Sequence, residues 1–115
     1  MPSRSVEEYL GDIIVNVDAA KSFVKGKSFE VFQKDRLTHY AVLRALEIIS
    51  EASRHLTDEV KARHPRIQWR AMADAGNIYR HVYHKVDLDF VWQTVAEFLE
   101  PLQEAARAEL KRLKK

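Results

Sequence analysis

The stretch IQWRAMADAGNIYRHVYHKVDLDFVW, Ile67 to Trp92, decides how this chain is read. Placed on a helix of about 3.6 residues per turn, Arg70, Asp74, Asn77, His81 and Lys85 recur every three or four residues and form one continuous polar stripe. Met72, Ala75, Tyr79, Val82 and Val86 recur at helical spacing on the other side, which suits a buried face. A helix that only packs needs the second stripe. The Asn, His and Arg residues gathered toward its C-terminal half point to chemistry, so Asn77, Arg80, His81 and Tyr83 are the first candidate site residues.

Working outward, helical signals cover almost the whole chain. Ser5 followed by Glu8 forms a capping box, and Val6, Tyr9, Leu10, Ile13, Ile14, Val17 and Ala20 then recur at helical spacing until Gly26 supplies a stop. Ser28 caps a short turn that presents Phe29 and Phe32. Asp35 caps a second long helix through Leu37, Tyr40, Ala41, Ala45, Ile48, Ile49, Ala52 and Leu56. Thr57, Asp58 and Glu59 start a short element that ends near His64, because Pro65 disfavours helix at the residue before it. A fourth helix starts near Gln68. A last one is expected to begin at Asp87 or Asp89 and run through Leu88, Val91, Trp92, Val95, Phe98, Leu99 and Leu102, bent at Pro101, before a frayed KRLKK tail. With no strand alternation, internal repeat or linker, residues 1–115 are expected to form one all-α domain, an antiparallel four- to five-helix bundle.

Composition agrees and narrows the functional classes. At 115 residues, 46% hydrophobic and 31% charged, the chain is long enough to bury a core and unlike a disordered segment. Without cysteine, a disulfide framework, a thiolate zinc site and a cysteine nucleophile are all excluded. The His81-x-x-His84 pair has no acidic companions, so neither a metal nor any cofactor is expected. The N-terminus lacks a signal-peptide core and the longest apolar cluster is too short to span a bilayer, so the expected location is the cytoplasm, away from membranes. A net charge of +2 argues only weakly for nucleic acid.

The Ile67–Trp92 block resembles the signature of the HepT-like family, small helical HEPN proteins encoded as toxins beside minimal nucleotidyltransferase antitoxins. LRALEIISEASRHL, Leu43 to Leu56, resembles the second long helix of that family, with Glu51 in the place of its acidic residue. Pro65, Ile67, Trp69 and VDLDFVW follow in the expected order, and the resemblance runs from Val6 to Leu102. It implies a metal-independent endoribonuclease whose composite site, an Arg about one turn before a His together with a polar residue, forms across a homodimer interface. His81 stands at the family His, Asn77 at the polar residue, and Tyr83 at the tyrosine that the partner nucleotidyltransferase adenylylates. The implied partners are a second copy, the nucleotidyltransferase antitoxin, and RNA such as tRNA or mRNA.

The family Arg falls at Gly76, and Arg80 is the available substitute. Neighbouring residues on a helix point about 100° apart, so Arg80 and His81 are expected to meet at one phosphate only from two subunits. In that scheme His81 takes the ribose 2′-hydroxyl proton while Arg80 and Asn77 hold the phosphate, and Glu51, Asp74 and Gly76 support the site or its interface. Each residue also has a plainer reading. His81 alone is an ordinary helix histidine, Tyr83 a half-buried packing residue, Arg80 a solvated arginine, and Trp69 and Trp92 core anchors. Gly76, which costs about 1 kcal/mol inside a helix relative to Ala, marks a close helix–helix or subunit–subunit approach. A non-catalytic module that docks a nucleotidyltransferase or binds nucleotide or RNA, and a dimerising scaffold, are the alternative functions.

Overall fold

A computed structural model describes residues 4–79 and 85–114, with side chains throughout except at 77–79 and 85–86. The first helix, α1 (Val6–Val24), opens on a reciprocal capping box. The Ser5 hydroxyl accepts from the Glu8 amide at 3.1 Å, and the Glu8 carboxylate accepts from the Ser5 amide at 3.3 Å. It ends at Lys25, followed by Gly26 at φ 75°, a left-handed conformation that a Cβ would strain. Ser28 caps α2 (Phe29–Lys34), Asp35 caps α3 (Arg36–Arg54) and Thr57 caps α4 (Asp58–Ala62), as the sequence predicts. The Asp35 carboxylate accepts from the Thr38 hydroxyl at 2.6 Å and from its amide at 3.2 Å, which together hold it below the usual aspartate range.

Helix α5 (Trp69–Tyr79) starts one residue after Gln68, whose carbonyl accepts from the Met72 amide. Helix α6 (Lys85–Gln93), a π-helical turn (Thr94–Phe98) and α7 (Leu99–Leu113) then follow without a break. Four features differ from expectation. Helix α6 begins at Lys85, so Asp87 sits in its first turn and Asp89 in its interior, and neither is the cap. Pro101 is the third residue of α7 and directly follows a wider π turn that the sequence did not predict, where the backbone departs from α-helical hydrogen bonding. The basic tail stays helical to Leu113, helped by Lys111 and Arg112 at the negative end of the helix dipole. Leu56 lies beyond the end of α3 and is nonetheless buried.

No strand occurs among the described residues, and the architecture is an all-α bundle. Helix α1 lies between α3 and α7 and contributes Leu10, Ile13, Val17 and Ala20 to the core against Val42, Leu46 and Ile49 of α3 and Leu99 and Leu102 of α7. Tyr9 meets His55, and Lys21 meets Glu100 while Asp18 meets Gln103, so α1 runs antiparallel to both neighbours. Trp92 packs on Phe29 and Phe32 with ring centroids 5.9 and 5.1 Å apart, which anchors α2 and α6 to the core edge. Helix α5 is held mainly by α3, and that contact positions the candidate site.

Candidate functional site at the α3–α5 contact

Helices α3 and α5 approach closely where Ser50 faces Ala73 and Gly76. Ser50 is 1% exposed, and its hydroxyl donates to the Ala73 carbonyl at 3.0 Å. A Cβ built on Gly76 would lie 2.8 Å from the Ser50 Oγ and 3.5 Å from its Cβ. The glycine therefore serves a helix–helix approach within one chain, one of the two kinds of close approach its sequence position suggested. Any larger residue at 76, arginine included, has to displace Ser50.

Beside this contact is a small polar recess of about 140 Å³ that brings Glu51, Asp74 and Gly76 together with Glu47 and Arg54. These are three of the residues singled out in the sequence, drawn from two helices and from positions 25 residues apart at Glu51 and Gly76. Asn77 follows Gly76 on α5, and its side chain lies outside the described atoms. Arg80, His81 and Tyr83 lie outside the described residues. Arg70 and Asp74 are exposed while Met72 and Ala75 are buried, so the described part of α5 has the two faces its periodicity predicts.

Glu51 lies at the centre of a surface network. One carboxylate oxygen accepts from the His55 ring at 3.0 Å, and the other lies 3.5 Å from the Arg54 guanidinium. The His55 ring stacks on Tyr9 at 4.6 Å with an interplanar angle of 6°, and the Arg4 guanidinium lies 4.7 Å from the Tyr9 centroid. Glu51 thus links the recess, whose charged lining is Glu47, Glu51, Asp74 and Arg54, to the aromatic stack of Tyr9 and His55.

The sequence reading missed a second acidic centre. Glu109 of α7, with its side chain 5% exposed, accepts two hydrogen bonds from Arg63 Nε and one of 2.6 Å from Arg63 Nη2, and its second oxygen lies 2.7 Å from His64 Nε2. The Arg63 guanidinium is the main cause that holds the Glu109 carboxyl down at about 2, with His64 adding to it against the opposing effect of burial. The Trp69 indole donates to the His64 carbonyl at 3.0 Å, so this clamp fixes the α4–α5 connector and the first residue of α5. Its sequence signal was available: Glu109 falls in phase with Leu102 and Ala106 on the buried face of α7, where an acid needs a partner.

On its other side α5 borders an open apolar groove of about 330 Å³, lined by Met72, Ala75, Phe90, Phe98 and Pro101, with Arg66 at its rim. Among the described residues no cluster of His, Asp or Glu has the geometry of a metal site, and no helix is long and apolar enough to cross a membrane.

An all-α bundle in which a glycine-mediated helix pair carries a polar recess defines the class, and comparison with known proteins identifies the family. The family model described as "Ribonuclease HepT-like" matches residues 13–109, and the chain belongs to this family. It is similar to a protein named "Probable ribonuclease HepT" from Thermococcus cleftensis, 40% identical over 100 residues that span 87% of this chain and 91% of the relative. A "Putative RNase" of Methanocaldococcus jannaschii is 34% identical over 84% of this chain and 89% of its own length. Another, from Caldanaerobacter subterraneus, is 31% identical over 96% of this chain and 99% of its own. No solved structure matches the chain.

Proposed function

We propose that this chain is the ribonuclease toxin of a toxin–antitoxin pair, an endonuclease that cuts RNA at a composite site formed between two copies. The observation that carries the reading is its membership, over residues 13–109, of a family whose similar members bear ribonuclease names along nearly their full length. His81 accepts the proton of a ribose 2′-hydroxyl, the 2′-oxygen attacks the adjacent phosphorus, and the bond to the 5′-oxygen of the next nucleotide breaks, that oxygen taking a proton from water. The products are a 2′,3′-cyclic phosphate and a 5′-hydroxyl. Asn77 and Arg80 hold the phosphate oxygens as charge builds on them, and no step is routed through a metal. Arg80 comes from one subunit and His81 from the other. Glu51, Asp74 and Gly76, which line one recess at the α3–α5 contact, support the site. Tyr83 is the acceptor for adenylylation by the partner nucleotidyltransferase, which silences the site by placing a bulky charged group two residues from His81.

The test is cleavage of tRNA and mRNA by purified protein in EDTA, comparing wild type with His81→Ala and Arg80→Ala and analysing the product ends. Cyclic phosphate ends, with cleavage reduced about 100-fold or more in His81→Ala, are expected. A second reading has one specific observation in its favour: Gly76 packs so closely on Ser50 that an arginine there, where the family carries one, would have to displace the Ser50 hydroxyl. In that reading the chain is a binding module that docks a nucleotidyltransferase or holds RNA without cutting it. Folded, unmodified wild type that binds RNA and leaves it intact would establish it.

A further inference from the structure

Two segments of this chain are strongly basic, and the fold brings them together. KARHPRIQWR, residues 61–70, carries four Lys and Arg with no acid, and LKRLKK, residues 110–115, carries four more with none. These 16 residues hold eight of the 19 cationic side chains, so the rest of the chain sets 11 cations against all 17 acids. A molecule with a net charge of only +2 is therefore divided into a cationic end and an anionic remainder.

The Glu109 clamp creates this juxtaposition. Arg63 and His64 belong to the first segment, and Glu109 immediately precedes the second, so their hydrogen bonds of 2.6 and 2.7 Å pin the α4–α5 connector against the C-terminal part of α7. Arg112 lies three residues beyond Glu109, on the neighbouring turn of the same side of α7. Arg63 is neutralised by the clamp. Arg66, Arg70 and Arg112 are exposed and make no ion pair with any described residue, although Asp74 stands one turn from Arg70. Elsewhere, Arg4, Arg44, Arg54 and Arg107 each have a carboxylate within 4 Å, at 2.7, 3.8, 3.5 and 3.8 Å, and Arg36, alone at the start of α3, is the one other described arginine without an ion pair to a described residue. Arginines left unpaired on a rigid mount are pre-organised for anions supplied from outside, and their planar forks match phosphate oxygens.

We infer that Arg66, Arg70 and Arg112, joined by the Glu109 clamp, form a docking track for the phosphodiester backbone of single-stranded RNA. This rests on the ribonuclease reading above for the identity of the polyanion. In the sequence Arg70 is also the first member of the polar stripe to which Asp74, Asn77 and His81 belong, so the track begins on the same stretch that carries the candidate cutting residues. The track supplies affinity and register without reading sequence, as phosphate contacts do.

The experiment measures oligouridylate binding by the full-length His81→Ala chain, which removes turnover, across a range of KCl concentrations. Arg66→Ala/Arg70→Ala/Arg112→Ala is compared with a control that removes equal charge elsewhere, Lys25→Ala/Lys27→Ala/Lys34→Ala, with circular dichroism to verify the helical fold of both. Three lost phosphate contacts lower the slope of log affinity against log salt by about 2, and at least a tenfold loss of affinity at low salt is expected for the arginine variant alone. Equal effects of the two triple variants, or an unchanged slope, would overturn the track. So would a wild-type patch that binds phosphatidylserine vesicles or polyglutamate but not oligouridylate. Cleavage is read separately on wild type: if it is absent while the arginine-dependent slope persists, the nuclease reading fails and the track stands.

Discussion

Glu51 and Glu109 are each met by an adjacent Arg–His pair, Arg54–His55 in one case and Arg63–His64 in the other. The same three side-chain types do different work because of where the chain places them. Around Glu109 the partners come from 45 and 46 residues away and enclose a nearly buried carboxylate, so the trio ties α7 to the α4–α5 connector. Around Glu51 all three residues lie within one turn at the C-terminal end of α3, with His55 as its cap, the glutamate side chain is 54% exposed, and the charges stay in water beside the recess. A buried, long-range trio stabilises the fold. An exposed, local one contributes little stability and remains available to a ligand or a partner.

The largest effect should separate the two glutamates outright. Glu109→Ala leaves Arg63 and His64 facing an empty site and is expected to cost about 3 kcal/mol, read as a shift of the urea midpoint, with a change in Trp69 fluorescence as the indole's partner His64 is released. A loss below about 1 kcal/mol would mean that the clamp is not what fixes α5. Acid should do the same work as the mutation. Because the folded carboxyl of Glu109 titrates at about 2, below its unfolded value, its contribution is present above about pH 4.5 and is lost as pH falls toward 2. The expected loss is on the order of 3 kcal/mol, and in Glu109→Gln this part of the acid dependence should vanish.

A smaller effect tests the helix pair. Gly76→Ala gains about 1 kcal/mol of helix propensity and forces the Ser50 hydroxyl off its 2.8 Å approach at an overpacking cost of about 1–3 kcal/mol, so a net loss near 1 kcal/mol is expected. In a Ser50→Ala background the clash is gone and the same substitution should stabilise. Equal effects in the two backgrounds would show that Ser50 is not the obstacle. Least of all, Glu51→Gln should change stability by less than about 0.5 kcal/mol while lowering RNA cleavage; a large loss of stability would remove the distinction between the two trios.

Local chemistry explains which parts of this molecule were legible in its sequence. The capping residues Ser5, Ser28, Asp35 and Thr57 act on amides within three residues, so their placement follows from short spacings alone. The stripe of α1 likewise follows from period, whereas that of α3 is only partly right: Ala45, Ile49 and Ala52 are buried, but Leu37 and Tyr40 are exposed and Val42 and Leu46 take the core positions. Asp87 misled because an acid in the first turn of a helix and an acid at its cap look alike in sequence. The π turn at Thr94–Phe98 has no residue signature of its own beyond the proline that follows it. Of the candidate site, periodicity picked out Asp74 and the need for close approach picked out Gly76. Their meeting with Glu51, and the Glu109 clamp, depend on long-range contacts that a single stripe does not specify. Asn77, Arg80, His81 and Tyr83 retain the roles proposed for them on the family resemblance.

The contact between Gly76 and Ser50 also has an evolutionary side. Two positions 26 residues apart cannot drift independently when a single added carbon at one collides with an oxygen at the other. An arginine at 76 is reached at lower cost once position 50 has lost its hydroxyl, because with serine retained that hydroxyl has to turn away from the Ala73 carbonyl it donates to. The order of substitutions is therefore biased in both directions. Homologous sequences with arginine at the counterpart of 76 should carry alanine or glycine at the counterpart of 50, and a survey finding serine there as often as in glycine-bearing chains would contradict this.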